Sequence, residues 1–295
     1  MEIKKPNFFI IGAPKCGTTS LASWLAEHPQ VYMSPVKEPM YYCKDFSFKR
    51  YSSECNYLSL FKLADSRHKA IGEASATYLF SDVAISEIER GIYCPKYIVL
   101  LRNPIEMAQS LHGQLVFDFD EDVENFEKAW YLQKQRANGK NIPASTREPR
   151  FLIYKEACSL GGQVRRLLEL VPKERVMLIL LDDIKQNTRK VWCNILSFLG
   201  LDDDGRMDFP VKNRSKIRRF PVIVKLSEMY ANLLKRFNMS PLGTGILTFL
   251  NKKVVMHQSR HALSSEMHKE LVDAFYDDIK LLGKILDRNL DNWLK

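Results

Sequence analysis

Residues 8–25, FFIIGAPKCGTTSLASWL, constrain the chain more than any other stretch. Phe8, Phe9, Ile10 and Ile11 are aromatic or β-branched and run up to Gly12, the pattern of a buried strand in a parallel sheet. The chain turns between Gly12 and Gly17. Thr18, Thr19 and Ser20 then supply hydroxyls where a helix begins, and Leu21, Trp24 and Leu25 share one helical face. Strand, loop and helix in that order aim several backbone N–H groups at one point, a ready place for a phosphate or sulfate.

The loop that cradles nucleotide triphosphates carries lysine directly after its second glycine, G-x-x-x-x-G-K-[ST]. Here the sequence is GAPKCGTT, so Thr18 follows Gly17 and the loop lysine is Lys15. Such a loop can hold a 5′-phosphate, but its cation stands elsewhere than in a kinase. A second apolar strand, residues 97–101, ends in Arg102, where a nucleotide triphosphatase tends to have an aspartate for Mg²⁺. A guanidinium at a strand end favours a second anion, bound directly and without a metal. Pro104 then fits the first turn of a helix with Met107, Leu111 and Leu115 on one side.

Between these stretches, residues 31–33 form a short strand that leads into Ser34-Pro35-Val36-Lys37-Glu38-Pro39. Prolines on both sides keep Lys37 and Glu38 out of a helix. A lysine and a carboxylate beside an anion loop can work as an acid/base pair; equally, they can be an ordinary surface ion pair. Residues 69–74, KAIGEA, read as another strand, with Glu73 either a substrate contact or a strand-end residue.

PKCGTTSL, HPQVYMSPVKEPMYY and RNPIEMAQS together resemble the motifs of sulfotransferases that use 3′-phosphoadenosine 5′-phosphosulfate (PAPS), closest to the bacterial group related to the heparan-type carbohydrate enzymes. The resemblance implies an α/β fold: a P-loop-type parallel β-sheet flanked by helices on both faces in a single domain, residues 1–295. It places the donor's 5′ end on Lys15, Cys16, Gly17, Thr18, Thr19 and Ser20 and its 3′-phosphate on Arg102 and Ser110, with no metal. It makes Lys15 and Glu38 the catalytic residues, Glu38 as base. The basic run KNRSKIRR, residues 212–219, would close over the cofactor through Lys216, Arg218 and Arg219. At the C-terminus, Phe275, Tyr276, Asp278, Ile279 and Leu282 match a helical F-Y-x-x-D-I-x-x-L pattern within a segment at 264–295.

Relatives often read E-K-x-P-x-Y-F where this chain has Glu73-Ala74-Ser75-Ala76-Thr77-Tyr78-Leu79-Phe80, so the pocket lysine is missing. That departure points to a small-metabolite acceptor such as an alkaloid, glycolipid or polyketide, with a glycan as the alternative. The acceptor pocket is expected from inserts at 41–60 and 112–150, along with 75–80 and 240–262. Its candidate contacts are Lys37, Tyr41, Glu73, Ser75 and His112, and for His112 a purely structural role is the competing reading.

Composition adds limits. The 295 residues carry a net charge of +9, which fits an anionic ligand and names none. Six cysteines show no zinc spacing and read as reduced thiols in a cytoplasmic protein. A helix start beside Lys15 would acidify Cys16, but the residue reads first as a small one that fits the loop. No stretch approaches the length of a membrane span. The acidic run 118–127 reads as a solvated face, 137–150 as a candidate lid, and 151–170 as a helix interrupted near Gly161 and Gly162. Two other classes stay open: a small-molecule kinase on the same fold, and a basic nucleic-acid-binding protein using residues 212–219. No nucleic-acid motif accompanies that run, and nucleic acid is not the expected partner.

Overall fold

A computed structural model describes residues 4–212 and 263–295, together with the backbone of 217–218 and 255–256. Five parallel strands make the central sheet in the order β2-β3-β1-β4-β5, with β1 Phe8–Gly12, β2 Val31–Met33, β3 Ala70–Ala74, β4 Lys96–Leu101 and β5 Val176–Leu180. The unbroken apolar runs of β1 and β4 have the reason expected of them: every residue of β1 is buried, because helices cover both faces of a parallel sheet.

Helix α1, Thr18–Ala26, crosses from β1 to β2, and α2, Glu54–Leu58, precedes β3. Helix α3, Ala84–Gly91, joins β3 to β4. The long connection from β4 to β5 carries α4 Pro104–Phe117, α5 Phe126–Tyr131, α6 Gln133–Ala137, α7 Tyr154–Cys158 and α8 Leu160–Leu170. After β5 come α9, Leu181–Gln186, and α10, Thr188–Leu199. β5 continues the parallel sheet beside β4, and among the described residues no sixth strand joins it. A two-residue antiparallel ribbon pairs β6, Ile217–Arg218, with β7, Val255–Met256.

Helix α1 buries Leu21, Trp24 and Leu25 and meets α10 through His28 and Trp192, whose rings lie 6.3 Å apart. Phe209 bridges Trp24 and Trp192 and docks the chain after α10 on α1. The opposite face is covered by α3, α8 and the C-terminal helix Ser265–Leu286, which packs on both α8 and α4. The connections explain the two layers: β1 to β2 moves one way along the sheet, β3 to β4 and β4 to β5 the other, and right-handed crossovers then place helices on opposite faces.

The structure refines three expectations about the middle of the chain. The acidic run is solvated only in part, with Asp122 and Glu124 exposed. Asp120 and Glu121 are buried, Glu121 in a bidentate pair with Arg136 (2.6 and 2.7 Å) and Asp120 paired with Arg147 (2.5 Å). Residues 145–150 are tied down as well: Ser145 and Thr146 bond the carbonyls of Phe119 and Asp120, and Arg150 pairs with Asp45 and Asp82. The helical break falls at Ser159, between α7 and α8, and not at the glycines. Gly161 and Gly162 lie in the first turn of α8, where their amides donate to Asp278 of the C-terminal helix (2.8 and 2.9 Å).

Candidate functional site

All five strands point the same way, so the loops after β1, β2, β3 and β4 gather at one edge of the sheet. The chain leaves β1 toward β2 and β3 on one side and leaves β4 toward β5 on the other. The crevice between the carboxyl ends of β1 and β4 is therefore the switch point where an α/β sheet binds ligands. Lys15 lies just past β1 and Arg102 just past β4.

The β1 loop turns sharply. Lys15 has φ +63° and Gly17, the N-cap of α1, has φ +95°, a left-handed geometry natural to glycine. Gly17 offers no capping side chain, and the first turn of α1 holds no acidic residue, so the positive end of the helix faces the loop without a built-in counter-charge. Arg102 reaches across from β4 and donates from Nη1 to the Lys15 carbonyl at 3.3 Å. The guanidinium thus lies against the loop and not away from it.

Helix α4 aligns the two cations. Asn103 caps it by accepting from the Ile105 amide (2.9 Å), and Pro104 opens it. Glu106, Ser110 and Gln114 follow at intervals of four and share one face. Glu106 pairs with Arg102, and Gln114 Oε1 accepts from Lys15 Nζ at 3.0 Å. Half-buried Ser110 stands between them on a face about 12 Å long at 1.5 Å per residue. Glu106 and Gln114 are functional neighbours that sequence reading passed over; their spacing from Arg102 is the signal that finds them.

The other loop residues divide. Ser20 is buried and its hydroxyl accepts from the Lys212 amide (2.9 Å), which anchors the start of the basic run to α1. Thr18 is buried and Thr19 half-buried. Cys16 is fully enclosed, with Sγ near the Pro14 carbonyl (3.4 Å) and Met107 Sδ (4.0 Å). Burial pushes its thiol up to about 12, outweighing the opposite pull of Arg102 and Lys15. It fills space and is not an acidified thiol. Lys216 and Arg219 lie outside the described residues, as do most of residues 240–262; Arg218 is on β6, described by its backbone alone.

Glu38 lies beyond β2 with φ +56°. Its carboxylate is held from two sides, by Lys37 Nζ and by the Ala76 amide, which donates to Oε2 at 2.9 Å. Both Lys37 and Glu38 keep part of their side chains open to solvent, 30 and 32%. The loops after β2 and β3 are thus bonded to each other and border the loop after β1.

The remaining acceptor-side candidates are placed differently. Tyr41 is half-buried, stacked on Tyr57 with centroids 4.5 Å apart, and it lines a cavity of about 260 Å³ that also meets Lys5 and Arg90. Glu73 and Ser75 are fully buried beneath the loop. His112 is enclosed too, its Nε2 against the Val123 carbonyl at 2.8 Å, and burial lowers its pKa.

A doubly wound sheet with an anion loop at its switch point, faced by an arginine in place of a magnesium-binding aspartate, defines a P-loop-type nucleotide fold. Within that fold the chain belongs to the sulfotransferase family: the family model described as a sulfotransferase domain matches residues 5–219. Carbohydrate sulfotransferase 15 of Mus musculus is 42% identical over 249 residues, covering 66% of this chain and 44% of the mouse protein. Bifunctional heparan sulfate N-deacetylase/N-sulfotransferase 1 of Caenorhabditis briggsae is 26% identical over 209 residues, covering 67% of this chain and 23% of that protein. The chain thus spans less than half the length of these curated relatives. The crystal structure of a sulfotransferase from Alicyclobacillus acidocaldarius superposes with a TM-score of 0.72 over 99% of this chain and 100% of its own, at 23% identity. These likenesses answer the sequence expectation of family and fold. No helix among the described residues is long and apolar enough to cross a membrane.

Proposed function

We propose that the chain transfers a sulfonate group from PAPS to a hydroxyl or amine of an acceptor, with Lys15, the α1 amides and Arg102 holding the donor. The observation that carries this reading is the Arg102 guanidinium against the Lys15 carbonyl, which sets two anion-binding centres side by side at the switch point. The donor set suits the molecule: helix-start amides and an ammonium for one phosphate end, and a fork-shaped cation with the Ser110 hydroxyl for the other.

When bound, PAPS supplies an activated sulfonate whose transfer leaves negative charge on the 5′-phosphate. Lys15 and the amides at the start of α1 offset that charge where it grows, the arrangement that contributes most when it is fixed in advance. Glu38 accepts the proton of the attacking acceptor; Lys37 and the Ala76 amide orient its carboxylate for this. Arg102 and Lys15 must exchange Glu106 and Gln114 for phosphate oxygens as the donor enters.

The loss of the relatives' lysine at Ala74 supports a small-metabolite acceptor. A glycan acceptor has its own support in the 42% identity to a protein named as a carbohydrate sulfotransferase. Incubation with PAPS and a panel of both acceptor classes, read by mass spectrometry, decides between them. Adenosine 3′,5′-bisphosphate and a sulfonated product are expected, and Lys15→Ala should lower turnover by about 10²–10³-fold with the fold intact. Magnesium-dependent ATP consumption without sulfonate transfer, or Lys15→Ala activity close to that of the unaltered chain, would overturn the assignment.

A further inference from the structure

Glu73 is fully buried near the end of β3, and among the described residues it forms no ion pair. A carboxylate so placed is costly unless its oxygens are hydrogen-bonded. Three hydroxyls do this: Tyr78 Oη donates at 2.7 Å and Tyr57 Oη at 3.1 Å to Oε1, and Ser75 Oγ donates at 2.9 Å to Oε2.

Ser75 has a second bond. Its oxygen accepts the Met40 amide at 3.1 Å. The Met40 amide can only donate, so Ser75 Oγ turns a lone pair to it and gives its hydrogen to Glu73. Met40 lies two residues beyond Glu38, and both have left-handed backbone, φ +55° and +56°. Non-glycine residues hold such angles only where their surroundings impose them. Here the imposing bonds come from residues 74–76: Glu38 N–H to the Ala74 carbonyl (2.9 Å), Ala76 N–H to Glu38 Oε2 (2.9 Å), and Met40 N–H to Ser75 Oγ. Only the last of these uses a side chain from residues 74–76, and that side chain is oriented by Glu73.

We propose that Glu73 is a positioning residue which, acting through Ser75, clamps the turn 38–40 onto the end of β3 and so fixes the Glu38 carboxylate at the reaction site. It touches no substrate itself. The chemical consequence rests on the reading of Glu38 as the proton acceptor; the clamp is a feature of the fold.

Glu73→Gln and Ser75→Ala are compared with the unaltered chain by steady-state kinetics, by adenosine 3′,5′-bisphosphate titration, and by the ¹³C-methyl resonance of Met40, with Met107 as an internal reference. Each variant should lower kcat by about ten- to a hundredfold, the scale of a misplaced catalytic group, at unchanged KM. Bisphosphate affinity should stay within about twofold. The Met40 resonance should shift or broaden while Met107 stays put. Combining the two changes should cost little more than either alone, because both break one path. A kcat within about twofold of the unaltered chain, a parallel loss of bisphosphate affinity, or an unmoved Met40 signal would each overturn the proposal. If the unaltered chain transfers no sulfonate, the functional reading has failed, and the Met40 signal alone then decides whether the clamp exists.

Discussion

Glu73 gives the molecule a pH signature that belongs to one residue. Burial raises its pKa from 4.5 to about 7 despite three hydroxyl donors. Between those values the folded chain keeps a proton that the unfolded chain has released, so this group's contribution to stability falls as pH rises through the window and levels off above it. Each unit of separation corresponds to about 1.4 kcal/mol. Glu73→Gln cannot titrate, so chemical denaturation of variant and unaltered chain from about pH 5 to pH 8 should show the variant gaining on its parent up to about pH 7 and no further. A difference independent of pH would mean that Glu73 does not titrate there. Lys15 and Arg102 were legible in the sequence because their meaning is local: one lies in a glycine-bounded loop, the other ends a strand. The environments of Cys16 and Glu121 were not. Cys16 is sealed partly by Met107, and Glu121 is neutralised by Arg136 and bonded by Tyr154. Burial works against ionising Glu121, yet those bonds hold its carboxyl below the ordinary range. Partners so distant in sequence leave no periodic mark beside the residue they change.

Among the elements, the joint between α8 and the C-terminal helix shows how a correct motif can conceal its purpose. Gly161 and Gly162 look like a helix break. They instead begin α8 so that Asp278 can cap it, and a Cβ on Gly161 would collide with the Asp278 carbonyl. Asp278 thus caps a helix other than its own, and burial raises its pKa against the opposite pull of the amides it accepts from and of the Arg165 charge. Asp278→Ala should lower stability by about 1–2 kcal/mol, as loss of an N-cap does. Gly161→Ala should cost a comparable about 1–3 kcal/mol by forcing the helices apart. Urea denaturation checks both, and a midpoint unmoved by Asp278→Ala would show that the cap contributes nothing. Strand positions were easier to read. The apolar runs at β1, β3, β4 and β5 stand out because a strand covered on both faces needs no polar alternation.

Across the whole molecule, alternating strands and helices announced a parallel sheet, but not the order in which the strands lie. That order makes the site: β1 and β4, separated in sequence by two other strands, become neighbours, and the turn past one meets the arginine past the other. The acceptor side stayed illegible, since burial of Glu73, Ser75 and His112 is decided by the packing of inserts whose patterns are irregular. The paired anion centres at the switch point remain the central claim, and isothermal titration in the presence of EDTA tests them most directly. Adenosine 3′,5′-bisphosphate should bind one-to-one, and Arg102→Ala should weaken it by at least about tenfold, the scale of a charge-assisted hydrogen bond. Adenosine 5′-phosphate should bind more weakly than the bisphosphate to the unaltered chain and lose little further in the variant. Equal affinity for the two nucleotides, or bisphosphate binding indifferent to Arg102, would contradict it.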